Sequence, residues 1–284
     1  MGGVPLNWLF AAPFLIGLLA LLRARRRPGP ALSGALGRYQ RRASRWRTGG
    51  LVAGLCAAVC LAYLMNYGSA GIVFGGCTLA GVLIGELRVP RPEGPVRAAV
   101  LTPRQVRHYF PRRCTALFAA LVVALAVLLT AVVVATRRSA VRDGFVLLTC
   151  PNGTAFMLAE QDVSTLVLGA LGCVVGGAGV CLLAARRVVT RPALPGAPTP
   201  DHALRASSVE AVALAWGCLV ASWLLMSSVL TADYLQALRE VPCNNRELLA
   251  PYILALLAAL GSAAGLVHLV IRLTRLPAPN GTAA

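Results

Sequence analysis

Lysine is absent. All 27 basic residues among the 284 are arginine, which removes several chemistries at once. A phosphate-cradling Walker loop, a retinal or pyridoxal Schiff base and a lysine general base each need a primary amine. Acid is scarce as well: ten Asp and Glu stand against the arginines, for a formal net charge of +17. The HExxH, GxSxG and dinucleotide-type glycine fingerprints are missing too, so metalloprotease, serine-hydrolase and Rossmann chemistry have no footing. The sequence nominates no catalytic, cofactor-binding or metal-ligating set. Cys56 and Cys60 share a helix face at i,i+4, but neither a histidine nor a second close pair accompanies them, and no metal or cofactor is expected.

What the chain has in quantity is hydrophobic length. With 57% hydrophobic and 13% charged residues and a mean hydropathy of +0.72, it lies outside the range of soluble domains. Apolar stretches cover residues 6–22, 49–66, 71–86, 114–136, 163–185, 209–231 and 249–271, each close to the ~20 residues that cross a bilayer as helix. The expected fold is an all-α polytopic transmembrane bundle of seven spans forming one domain over residues 1–284. The pair 49–66 and 71–86 is joined only by Tyr67-Gly68-Ser69-Ala70 and reads as a tight hairpin.

Arginine placement orients the spans, because short Arg-rich loops are retained on the cytoplasmic side. The pivot is Leu87–Arg113, with seven arginines between the third and fourth stretches. Putting it in the cytoplasm makes the inner segments hold nine, seven, four and two arginines and the outer loops three and two. That one-sided division predicts an N-terminus outside, a C-terminus in the cytoplasm and a multi-pass protein of the cell membrane. The uncharged MGGVP before the first stretch, with arginines after it, reads as an uncleaved segment. Since the arginines come in short runs between apolar segments, they imply contact with anionic head groups at the inner face; nucleic acid is not an expected partner.

Smaller features nominate particular residues. Thr102-Pro103-Arg104-Gln105 is a capping-box pattern that predicts a short helix on the membrane surface. Arg104, Arg107, His108 and Arg112 are thereby candidates for contact with lipid or with another membrane or cytoplasmic protein. Ser207-Ser208-Val209-Glu210 reads as the cap that starts the sixth span, after an exposed proline-rich linker at 186–205. Cys150 and Cys243 are the two cysteines in outer loops, where an oxidising exterior permits a disulfide. Small residues four apart let helices approach closely, and Gly50/Gly54, Gly71/Gly75, Gly81/Gly85, Gly172/Gly176 and Gly261/Gly265 have that spacing. The third span carries two such pairs and should be central. The fourth has none and should face lipid.

Gly85-Glu86-Leu87, the proline and arginine run to Arg97, and Pro103-Arg104 through Tyr109-Phe110-Pro111-Arg112 resemble a stretch of uncharacterised multi-span membrane proteins of high-GC actinobacteria. The likeness covers about a tenth of the chain and implies a location without a chemistry. Three functional expectations follow from the whole sequence. The first is a non-catalytic membrane subunit or receptor-like interaction protein. The second is a permease or efflux component for an apolar solute, and the third an intramembrane enzyme using Glu86 and His108. A packed bundle, a continuous polar cavity, or convergence of Glu86 with His108 would respectively separate them.

Overall fold

The computed structural model describes residues 34–64, 67–88, 112–137, 140–142, 145–149, 155–159, 163–190, 198–239 and 249–274. The first expected span, 6–22, lies outside them. In chain order the elements are α1 (Gly34–Tyr63), α2 (Tyr67–Leu87), α3 (Arg112–Arg137), strands β1 (Ala140–Arg142), β2 (Phe145–Thr149) and β3 (Ala155–Ala159), then α4 (Val163–Leu171), α5 (Gly177–Thr190), α6 (Pro198–Arg239) and α7 (Leu249–Thr274). A π-helical turn, Gly172–Gly176, joins α4 to α5. Five helical stretches are long and apolar enough to cross a membrane: Arg41–Tyr63, Ser69–Leu87, Leu166–Thr190, His202–Arg239 and Leu249–Thr274. In α3 the apolar stretch so described is shorter, Phe118–Thr130.

Helix α6 is the axis of the bundle. Along the most apolar part of each span, 94% of residues are buried in α6, against 56% in α2 and 22–33% in α1, in the α4–α5 segment and in α7. It packs against α7, α2, α5, α3 and α4. Those neighbours also touch one another, α3 with α7 and with α4, α5 with α2, and α1 with α7, so that α6 is jacketed on all sides. The expectation of a central third span is therefore corrected: α2 lies between α1 and α6, and the centre belongs to the sixth span. Small side chains explain why α6 tolerates enclosure. Ala211, Ala213, Ala215, Ala221, Ser222, Ser228 and Ala232 are all buried and cover about half of its circumference, allowing neighbours close there, while its tryptophans meet glycines on the remaining side.

The outer helices bury one stripe each. In α3 the buried positions are Phe118, Leu121, Leu125 and Leu128, while Val123 and Val127 are exposed; this i, i+3, i+7 pattern is that of a helix with one packed face, the other face being the one expected toward lipid. In α7 the buried line Ala255, Ala259, Ser262, Leu266, Leu269 and Leu273 faces α6, with Ile253, Leu254, Leu257 and Leu260 exposed.

Helix α1 starts at Gly34 rather than at the expected 49, and two further departures from expectation have physical reasons. Helix α6 starts at Pro198, so Ser207 and Ser208 are interior and do not cap it; the Ser207 hydroxyl donates to the Leu204 carbonyl at 2.9 Å. Pro198 and Pro200 fall in the first turn, where a missing N–H costs nothing. Forty-two residues make a rod of about 63 Å, twice the ~30 Å of a bilayer core. The second departure is a three-stranded antiparallel meander, β1-β2-β3, where only an outer loop was expected. Its register pairs Arg142 with Phe145 and Thr149 with Ala155. Asp143-Gly144, a pair that favours two-residue hairpins, lies between the first two strands.

Candidate functional site

The most elaborate polar arrangement lies where α1 begins its apolar run, α2 and α5 end, α6 begins and α7 ends. There Arg47 of α1 donates from Nη2 to Oε1 of Glu86 on α2 at 2.8 Å, with side-chain exposures of 14% and 1%. A carboxylate this buried is tolerable only with a charged partner. Directly beside it, the Arg88 guanidinium stands 5.1 Å from the centre of the Trp46 ring, a cation–π contact. Glycine brings the helices close enough for both. Added Cβ atoms would stand 2.6 Å from the Cα of Gly50 at Gly81 and 3.0 Å from the Trp46 Cβ at Gly85.

Two further arginines are held at this end. Arg205, expected in an exposed linker, is buried in α6, and its Nη1 donates to the carbonyl of Val189 in the last turn of α5. That position satisfies a carbonyl that α5 itself leaves unpaired and sets a cation against the negative end of the helix dipole. Arg272 of α7 pairs with Glu210 of α6 at 3.0 Å. Glu210, first read as part of a cap, thus ties two helices together. Arg42, Arg45, Arg88, Arg186 and Arg187 remain exposed at the same end.

Toward the middle, tryptophans of α6 fit glycine notches on its neighbour. A Cβ at Gly177 would meet the Trp216 ring at 2.6 Å, and one at Gly169 the Trp223 ring at 2.4 Å. The Trp216 indole N–H donates to the Cys173 carbonyl at 3.0 Å, inside the π turn, where the i→i−4 ladder is broken. Phe118 of α3 holds the same ring from the other side, with centroids 4.9 Å apart.

Buried hydroxyls along the axis are mostly turned back onto helix backbones. Ser227 donates to Trp223 O, Ser228 to Leu224 O, Ser262 to Ala259 O and Thr78 to Phe74 O, at 2.7–2.9 Å. Ser222 reaches across to the Gly71 carbonyl at 2.8 Å, a link between α6 and α2. Among the described residues, the buried Trp223 Nε1 and Thr231 Oγ1 of α6 meet no hydrogen-bond partner.

The nominated residues divide as follows. Gly71 and Gly75 lie at the α2–α6 contact, where added Cβ atoms would stand 2.6 Å from the Ser222 carbonyl oxygen and 2.4 Å from the Leu219 Cα; Gly81 and Gly85 lie at the α1–α2 contact. Gly172, Gly176 and Gly261 face open space, and Gly265 is only in ordinary contact with Leu121 at 3.9 Å. Among the described residues these four make no close approach to another helix, because a spacing of four leaves open which face of the helix meets a neighbour. Cys150, Cys243, Arg104, Arg107 and His108 lie outside the described residues, and of Arg112 only the backbone, at the start of α3, is described. Glu86 is engaged by Arg47. Among the described residues, no three His, Cys, Asp or Glu side chains gather as a metal site.

Sequence reading missed the Arg47–Glu86, Arg205–Val189 and Arg272–Glu210 links. One signal was available: Glu86 is the sole acid between residues 1 and 92, and an acid at the end of an apolar helix demands a partner. Comparison with protein-family models, curated proteins and solved structures finds no match to this chain.

Proposed function

We propose that this chain is a non-catalytic multi-pass protein of the cell membrane, a subunit or receptor-like element that works by contact with other molecules. In this reading residues 6–22 add a seventh span, the N-terminus is outside, and the arginine-rich end of the bundle faces the cytoplasm. Anionic head groups meet that end, and residues 104–112 contribute further arginines to it. The observation carrying the reading is the enclosure of α6: its buried serines bond to helix backbones and its ionic residues are confined to the ends. A solute path usually places ionisable groups in the bilayer core to compensate moving charge. The apolar outer faces of α1, α4–α5 and α7 are available for lipid or for other helices.

The unpartnered Trp223 Nε1 and Thr231 Oγ1 favour one competing reading, a permease for an apolar solute that carries a hydrogen-bond acceptor. Purification in mild detergent, followed by identification of co-purifying proteins and by flux assays in vesicles, separates the two. A stoichiometric partner with no solute flux supports the interaction reading. Facilitated flux of an apolar solute, abolished by Trp223→Phe, overturns it.

A further inference from the structure

The exposed face of α1 is one continuous line with two chemistries. Arg42, Arg45, Gly49, Val52, Cys56, Val59 and Tyr63 are all exposed, and their spacing of three or four keeps them on a single helix face. The line is cationic at one end and apolar for the rest. Gly49 marks the change, and among the described residues a Cβ there would meet nothing within 4 Å, which leaves room beside the backbone below the arginines. At the cationic end α2 adds a third guanidinium, Arg88, held against Trp46, one helical turn from Arg42. Glu86, the acid nearest to them in sequence, is bonded to Arg47 beneath this surface, and Trp46 is of the type that settles at head-group depth.

We propose that the inner end of the α1–α2 hairpin is a binding site for an anionic phospholipid, whose phosphate is held by Arg42, Arg45 and Arg88 and whose acyl chain runs along Gly49, Val52, Cys56 and Val59. Guanidinium groups suit a phosphate because their planar forks offer paired donors to its oxygens. Arg88 is restrained by its stacking before any lipid arrives, which lowers the ordering cost of binding. The apolar track identifies a lipid as the source of the phosphate, since a free anion would have no use for it. The inference deepens the proposed reading and rests on its placing of this end at the anionic inner leaflet.

The test uses the full chain in nanodiscs of phosphatidylcholine doped with phosphatidylglycerol, counting retained lipids by native mass spectrometry. The triple variant R42A/R45A/R88A should lose about 100-fold in phosphatidylglycerol retention, at roughly fivefold for each guanidinium–phosphate hydrogen bond removed. R186A/R187A, which removes two exposed arginines from α5, should retain the lipid within a factor of about two of the parent. Gly49→Trp, which fills the track without altering charge, should weaken retention as well. Equal losses in the triple variant and in R186A/R187A would reduce the effect to diffuse charge and overturn the site; so would unaltered retention by Gly49→Trp. Competition by inorganic phosphate as effective as that by the lipid would also overturn it, by revealing a free-anion site. A partner protein that still co-purifies with the triple variant would leave the interaction reading standing when the lipid site fails.

Discussion

Gly176 and Gly177 are neighbours in sequence and opposites in space. At Gly177 an added Cβ would collide with the Trp216 ring at 2.6 Å, while at Gly176 it would meet nothing among the described residues. The same contrast separates the glycine pairs of α2 from those at 172/176 and 261/265. In α2, Gly71 and Gly75 touch α6 while Gly81 and Gly85 touch α1, so a single helix carries two notched faces. Spacing states only that a close approach is permitted. Which approach is realised depends on a neighbour with a complementary surface, and α6 supplies it with alanines, serines and two tryptophans.

The strongest way to break this contrast is to fill a notch against backbone. Gly75→Leu would drive a side chain into the Leu219 Cα and should destabilise the bundle by about 3 kcal/mol, the upper part of the overpacking range. Gly172→Leu should leave the thermal midpoint in detergent unchanged. Equal effects of the two substitutions would mean that the helix faces are misassigned. Removing the charge that accompanies the α1–α2 notch comes next. Glu86→Ala strands Arg47 and should cost about 2 kcal/mol, below the 3–5 kcal/mol of fully buried pairs because Arg47 keeps some exposure. A double variant that also replaces Arg47 with leucine should recover part of the loss, and failure to recover would remove the pair from the account. The smallest and sharpest comparison is Gly177→Ala against Gly176→Ala. The first should cost about 1 kcal/mol by displacing a rigid ring, and the second should stay within about 0.5 kcal/mol of the parent. Thermal unfolding of the two proteins side by side reads the difference.

Much of the architecture was legible in the sequence because lipid imposes simple rules. Residues 71–86, 114–136 and 249–271 emerge as α2, α3 and α7 with shifts of a few residues, since apolar length measures a span directly. The surplus of α6 was hidden in a proline-rich stretch, where Pro198 and Pro200 read as linker although both are compatible with a first helical turn. The strands Phe145–Thr149 and Ala155–Ala159 were hidden because runs of five residues between two long hydrophobic helices read as part of an outer loop; Asp143-Gly144, between β1 and β2, was a turn signal left unused. The charged end was the least legible part. Arg47 and Glu86 are 39 residues apart, and only the α1–α2 hairpin brings them together. Arg205 counted correctly toward a basic end, yet its burial against α5 depended on helix extensions that hydropathy does not reveal.

Water access to the middle of α6 tests the central claim most directly. Ser222→Cys and Ser228→Cys, made in a chain whose native cysteines are replaced, would be exposed in vesicles to a membrane-impermeant maleimide from either side. The packed axis predicts no labelling at either position under conditions that label a cysteine placed at exposed Arg42. Rapid labelling of both from the aqueous phase would contradict it and hand the bundle to the transport reading.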